Sequence, residues 1–187
     1  MMATKPRTTK NKQTWSHLKR NLSGLDRNAL LGLIHDLYAA SKGNQSFLHA
    51  RFGSGDDVLE PYKVNISRWV CPDVMRAQDI STAKASRAIA DYKKACGRSN
   101  GMAELSVFYC EACMRFLGLC GMDDEGYFDA LVRMFEQALK AVGSLEPDRR
   151  PPFLERLELV RRGGHNYGYW VGDYMDELMA EYGFGEE

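Results

Sequence analysis

The sequence has no run of 18 or more apolar residues, which is the length that a helix needs to cross a bilayer. Its first residues, MMATKPRTTKNKQ, are polar and basic and lack the apolar segment of a signal peptide. Five cysteines, an odd number without the spacing of a disulfide scaffold, are expected to be free thiols. We therefore expect a cytoplasmic protein that has no membrane partner.

Known catalytic motifs are also missing, because the chain contains no G-x-S-x-G, Walker A or H-E-x-x-H element. Its four histidines are scattered, and no Glu-x-x-His pair of a di-metal bundle occurs. Cys110 and Cys113 form a C-x-x-C, but with Leu117 and Cys120 they fall on one helical stripe, where cysteine packs as a small apolar residue. We expect no cofactor and no metal, and an enzyme is the less favoured interpretation.

Charge is balanced overall and uneven along the chain. The 25 Lys and Arg match the 25 Asp and Glu, but residues 1–20 carry six basic residues and no acid, whereas residues 163–187 carry six acids and no Lys or Arg. The basic segment 1–13 has almost no large apolar side chain and is predicted to be a disordered tail. Residues 14–187 are predicted to form one helical domain. Opposite charges at the two ends favour self-association or a charged partner.

Apolar residues recur at helical spacing, and no segment alternates with period two. The clearest helix of the first half has Ser23 as its expected N-cap, Asp26 three residues later, and an apolar stripe. The stripe comprises Leu30, Leu33, Ile34, Leu37 and Tyr38. The segment from Val58 to Val70 contains β-branched residues, but its apolar spacing favours a helix that begins at Pro61.

Three helices with short links are predicted in the middle of the chain. They end at Gly97, Gly121 and Gly143, and Asn100 is the expected cap of the second. Because the links have only a few residues, consecutive helices should be antiparallel. The predicted fold is therefore all-α, a compact single-domain bundle of about six to eight helices that are mostly paired as antiparallel hairpins.

Arginines are concentrated before a stretch rich in glycine and aromatic residues, RRGGHNYGYW. Backbone N–H groups of the glycines could face an anion, which would suit nucleic acid. Pairing of the arginines with acids such as Glu155 and Glu158 is the simpler interpretation. The candidate binding residues of this region are Arg149, Arg150, Arg161, Arg162, His165, Tyr167 and Trp170.

The same stretch is interpreted as a helix boundary. Gly163 and Gly164 end one helix, and a short link leads into a last helix. Gly164, Gly168 and Gly172 are four residues apart, and the last two are expected to form a smooth face against which another helix packs closely.

Five segments in this order resemble a family of small bacterial proteins classed as a domain of unknown function. They are SGLDRNALLGLIHDLYAASKGNQSFLHARF, AIADYKKACG, MAELSVFYCEACMRF, GYFDALVRMFEQALKAV and YGYWVGDYMDELMAEYGF. The resemblance implies a compact helical protein of the bacterial cytoplasm and brings no activity with it. In that family an aromatic residue and a histidine often precede the last motif's aspartate, where this chain has Val171 and Gly172 before Asp173.

The leading hypothesis is a non-enzymatic helical interaction module that binds a protein partner or itself. The first alternative is a nucleic-acid-binding protein that uses the basic tail and the arginines of residues 149–162. The second is a small-ligand or metal-dependent enzyme that uses Glu111, His165 and the neighbouring aromatic residues.

Overall fold

The computed structural model describes residues 14–53 and 58–185, so the predicted disordered tail of residues 1–13 lies outside the described residues. Regular structure in the described part is helical throughout, which confirms the all-α prediction. The nine α-helices there are α1 (Trp15–Leu22), α2 (Arg27–Ala40), α3 (Lys42–Phe52), α4 (Glu60–Val70), α5 (Thr82–Ala95), α6 (Ser99–Leu119), α7 (Glu125–Gly143), α8 (Pro151–Gly164) and α9 (Val171–Glu181). Short 3₁₀ turns at Val74–Arg76 and Pro147–Arg149 precede α5 and α8.

Packing contacts divide the chain into two units, Met1–Gln45 and Ser46–Glu187. That residues 14–187 form one domain stays a prediction.

In the first unit the predicted cap of α2 is wrong. Asp26 caps the helix, since its carboxylate accepts a hydrogen bond from the N–H of Ala29 at 2.7 Å. Ser23 has helical backbone angles and instead ends α1, where its hydroxyl donates to the carbonyl of Lys19. An N-cap needs an extended backbone, which Asp26 has and Ser23 lacks.

Three of the five side chains in the apolar stripe of α2 are exposed, and Leu30 and Tyr38 are half-buried. Neither α1 nor α2 has a buried residue, and Leu33, Ile34 and Leu37 are 37%, 45% and 52% exposed. Because a helix of 14 residues is marginally stable in water on its own, such a stripe usually contacts another surface.

The core of the second unit surrounds α6, which packs against α4, α5, α7 and α8. Cys110 and Cys113 are fully buried on α6, as their helical spacing indicated, and Cys120 is half-buried at its end. The predicted apolar face of α7 also lies in the core, with Leu131, Phe135 and Leu139 at no exposure.

Residues 60–70 are a helix, as favoured from the apolar spacing, and Tyr62 and Ile66 are buried. The predicted cap of α6 is wrong. The helix begins at Ser99, and Asn100 lies inside its first turn, because the extended backbone of Arg98 precedes the helix.

None of the helices in residues 14–53 and 58–185 combines the length and the apolar character needed to cross a membrane.

A tight reversal connects α8 to α9. Tyr169 and Trp170, neither of them glycine, both have φ of 58° there. A Cβ atom on Gly164 would lie 3.4 Å from the backbone of Gly172, so α8 and α9 approach closely at these two glycines. The prediction of a close-packed face at Gly168 and Gly172 is wrong for Gly168. No atom lies within 4 Å of a Cβ built on Gly168, because this glycine is in the reversal and not on a helix.

Two glycines of α6 provide a matched stability test. A Cβ on Gly101 would lie 2.1 Å from the phenol oxygen of Tyr92, whose buried ring packs edge-on against Tyr62, whereas Gly118 is exposed with open space around it. We expect Gly101→Ala to lower the free energy of unfolding by about 1–3 kcal/mol through overpacking. Gly118→Ala should raise it by up to about 1 kcal/mol, since alanine favours the helix. Urea denaturation of both variants measures the free energy of unfolding. Equal changes of the same sign in the two variants would contradict the packing of Gly101 against Tyr92.

Candidate functional site

Charged side chains meet where α8 ends and α9 begins. Arg161 forms a two-bond fork to Glu158, with both nitrogen–oxygen distances at 2.7 Å, and its third nitrogen donates to Asp176 of α9. Arg162 donates to Glu158 as well, at 2.6 Å. Since Glu158, Arg161 and Arg162 lie within one helical turn and Asp176 in the next helix, the fork connects α8 to α9.

These contacts change the acidity of the carboxylates. Hydrogen bonds from Arg161 lower the pKa of Glu158 from its ordinary value of 4.5 to about 2, with a smaller contribution from Arg162 and against the effect of burial. Burial opposes ionisation of Asp176, but hydrogen bonds from Arg161 and His165 outweigh it and lower the pKa of that carboxyl. The site therefore holds ionised carboxylates at neutral pH.

His165 follows the last residue of α8 and faces the same carboxylate. Its Nε2 lies 3.1 Å from Oδ2 of Asp176, and its ring lies over the backbone of Gly172. A Cβ on Gly172 would approach Nδ1 of this ring to 2.4 Å, so only glycine leaves room for it. His165, Asp173 and Asp176 each present one donor atom, and these atoms lie within 4.8 Å of one another.

A cavity of about 240 Å³ adjoins the charged side chains. Its polar wall consists of Glu158, Arg161 and Asp176, and its apolar wall includes Met179 and Phe184. Arg161 therefore belongs to both the ion-pair cluster and a concave surface.

The structure separates the two halves of the predicted arginine cluster. Arg149 is exposed and Arg150 half-buried at the start of α8, roughly 16–18 Å along the helix from Arg161 and Arg162. Arg150 donates to the carbonyls of Leu145 at 2.8 Å and Gly143 at 2.9 Å, so it binds the C-terminal end of α7. The four arginines thus do not form one basic surface.

The two predicted aromatic residues differ in environment. Tyr167 is half-buried, with its ring centroid 6.1 Å from that of Phe128 on α7. Trp170 has 72% of its surface exposed. Tyr167 thus packs against α7 within the second unit, while Trp170 is exposed.

A second ion-pair cluster was not anticipated from the sequence. Arg156 of α8 binds Glu111 through two hydrogen bonds at 2.7 and 2.8 Å and Glu104 at 2.6 Å, and Lys63 of α4 binds Glu104 at 2.6 Å. Glu104 and Glu111 lie two turns apart on α6. Glu111 is held by Arg156, about 13 Å along α8 from His165, so these two residues of the enzyme hypothesis do not converge.

Asp173 and Asp176 were also missed as members of the His165 site. The i, i+3 spacing of two acids was a usable signal, but their meeting with His165 depends on the reversal at Tyr169 and Trp170.

Comparisons with protein-family models, with curated proteins and with solved structures gave no match. The function therefore has to be inferred from the geometry of this chain.

The lowered pKa of Glu158 predicts a pH-dependent contribution to stability. Because its pKa is about 2 in the folded chain and near 4.5 when unfolded, the contribution is complete above pH 4.5 and is lost as the pH falls towards 2. The stability advantage of the wild type over Glu158→Gln should therefore shrink between pH 4.5 and 2, as measured by denaturant unfolding at each pH.

Leu159→Ala is the matched control for this titration. It changes an exposed neighbour on the same helix without changing charge, so its curve should run parallel to that of the wild type. Parallel curves for the wild type and Glu158→Gln would show that the ion pair with Arg161 does not stabilise the fold.

Proposed function

We propose that this protein is a non-enzymatic interaction module and that its partner is a second copy of the same chain. The observation that carries the proposal is the exposed apolar surface of α1 and α2, two helices without a buried residue. Its large exposed side chains are Trp15, Leu18, Leu31, Leu33, Ile34 and Leu37, and Leu25 is exposed in the link between the two helices. Exposed apolar side chains concentrated on two helices are typical of a protein–protein contact, whereas monomers usually scatter them.

Charge indicates which part of the second copy contacts the apolar surface of α1 and α2. Residues 1–45 contain eight Lys and Arg against two Asp, a net charge of +6, while residues 46–187 contain 17 against 23, a net charge of −6. Two copies that pair through the first unit alone would bring like charges together. If the first unit of one copy contacts the second unit of another, opposite charges come together. This attraction speeds association and fixes the relative orientation of the two copies.

The complementary surface is the outer side of α9, which we call the acidic face. Asp173, Tyr174, Glu177 and Glu181 fall within about 100° of the helix circumference, and Trp170 lies at its start. All five are exposed, with Trp170 at 72% and Tyr174 at 51%. Aromatic side chains surrounded by acids suit the apolar and basic surface of α1, where Lys19 and Arg20 lie in the last turn.

Reciprocal exchange of these contacts between two copies closes a dimer with two identical interfaces. The arginines of α8 do not contribute to this surface as cations, because Arg161 and Arg162 bind carboxylates. The binding of Arg161 and Arg162 to carboxylates also argues against the nucleic-acid alternative.

A charge-swap experiment tests the proposal by sedimentation velocity on the full chain. We expect the wild type to dimerise at low salt and to dissociate as salt rises. Lys19→Glu with Arg20→Glu lowers the net charge of residues 1–45 from +6 to +2 and places two acids opposite the acidic face, and Glu177→Lys with Glu181→Lys places two basic residues opposite Lys19 and Arg20. Each double variant alone should be monomeric, and an equimolar mixture of the two should form a 1:1 complex, since both interfaces are then complementary.

Two further variants separate charge from packing. Glu146→Lys with Asp148→Lys changes charge by the same amount at exposed positions in the turn before α8, and it should leave dimerisation in place. Leu33→Ser should abolish dimerisation while shifting the free energy of unfolding by no more than about 0.5 kcal/mol, because the side chain is exposed in a single copy. A monomeric wild type at low salt, or a mixture of charge variants that stays monomeric, refutes the proposal.

A further inference from the structure

The group formed by His165, Asp173 and Asp176 has the composition of a metal site. It offers one imidazole nitrogen and two carboxylates from two adjacent helix ends, with all three donor atoms within 4.8 Å of one another. The ion-pair cluster does not include Asp173, and coordination would replace the contact between His165 and Asp176, with Nε2 giving up any proton that it carries.

The distance between two of the donors matches the coordination sphere of a small divalent ion. Metal–nitrogen and metal–oxygen bonds of about 2.0–2.1 Å place neighbouring ligand atoms roughly 2.8–3.4 Å apart in octahedral or tetrahedral geometry. Nε2 of His165 and Oδ2 of Asp176 are 3.1 Å apart. An ion bound to both atoms therefore needs little movement of either side chain.

The supporting contacts hold these donors in place. Gly172 leaves the space that the ring of His165 occupies, and Arg161 binds Oδ1 of Asp176 while Oδ2 faces the histidine. Ligating carboxylates in metal sites are commonly fixed by such outer hydrogen bonds.

The net charge of the side chains around His165 favours binding of a divalent cation. Asp173, Asp176 and Glu158 carry three negative charges, and Arg161 and Arg162 carry two positive charges that are largely directed at Glu158. The group therefore has a net charge of −1, and the exposure of His165 and Asp173 leaves the remaining coordination positions to water.

We propose that Nε2 of His165 and the carboxylates of Asp173 and Asp176 bind one divalent transition-metal ion. An imidazole with two carboxylates suits zinc, cobalt or manganese, whereas calcium and magnesium are bound by oxygen ligands alone. The bound ion would join the end of α8 to the first turn of α9 and so stabilise the reversal between them.

Calorimetric titration of the full chain with Zn²⁺ and with Co²⁺ tests this site, in salt high enough to keep the chain monomeric. We expect one ion per chain, a rise in the melting temperature with added metal, and at least tenfold weaker binding in His165→Ala and in Asp173→Asn. Asp173 is exposed, so its amide variant should fold as the wild type does. Glu155→Gln, which removes an exposed acid of α8 ten residues before His165, is the matched control and should bind as the wild type does.

The cobalt spectrum distinguishes this site from the free cysteines. Visible ligand-field bands without a thiolate charge-transfer band in the near ultraviolet support nitrogen and oxygen ligands. A thiolate band, a wild type that takes up no metal, or equal affinity in the wild type and both ligand variants overturns the proposal. None of these results depends on dimerisation, so the two proposals can fail separately.

Discussion

The burial of α6 is the constraint on which the second unit depends. Four helices pack around it, and two carboxylates, Glu104 and Glu111, lie on the side that faces α8. Carboxylates partly removed from water need a cation with matching geometry, and the planar guanidinium of Arg156 supplies hydrogen bonds to both. The position of α8 against α6 follows from this pairing, and the position of α9 follows from α8 through Arg161 and Asp176.

The two charged clusters of α8 have different roles although they lie on one helix. Arg156 joins α8 to the core helix, while Arg161 joins it to α9 beside a cavity and a histidine. Both use the fork geometry of arginine, and lysine could not replace either without losing one of the paired hydrogen bonds. Of the arginines that suggested an anion-binding surface in the sequence, Arg150 and Arg161 connect helices of the second unit, Arg162 binds Glu158 within α8, and Arg149 is exposed.

Helices and their buried faces could be predicted from the sequence because periodicity reports on them directly. The apolar face of α7 and the cysteine stripe of α6 are examples, since both follow from spacing alone. Caps were less predictable. Ser23 and Asp26 are both good capping residues, and the choice between them is made by backbone conformation. Ion pairs between residues distant in sequence could not be predicted from the sequence. Arg156 binds a residue 52 positions away, and His165 meets Asp176 only because the chain reverses at two residues with positive φ.

That reversal has a consequence for the motions of the native chain. Two successive residues with side chains in the left-handed region cost about 1–2 kcal/mol each, and the burial of Val171 and Met175 keeps them there. Release of α9 would return this conformational energy. Opening of the last helix is therefore less costly than opening of α6 or α7, and the amide hydrogens of α9 should exchange with solvent before those of these two helices.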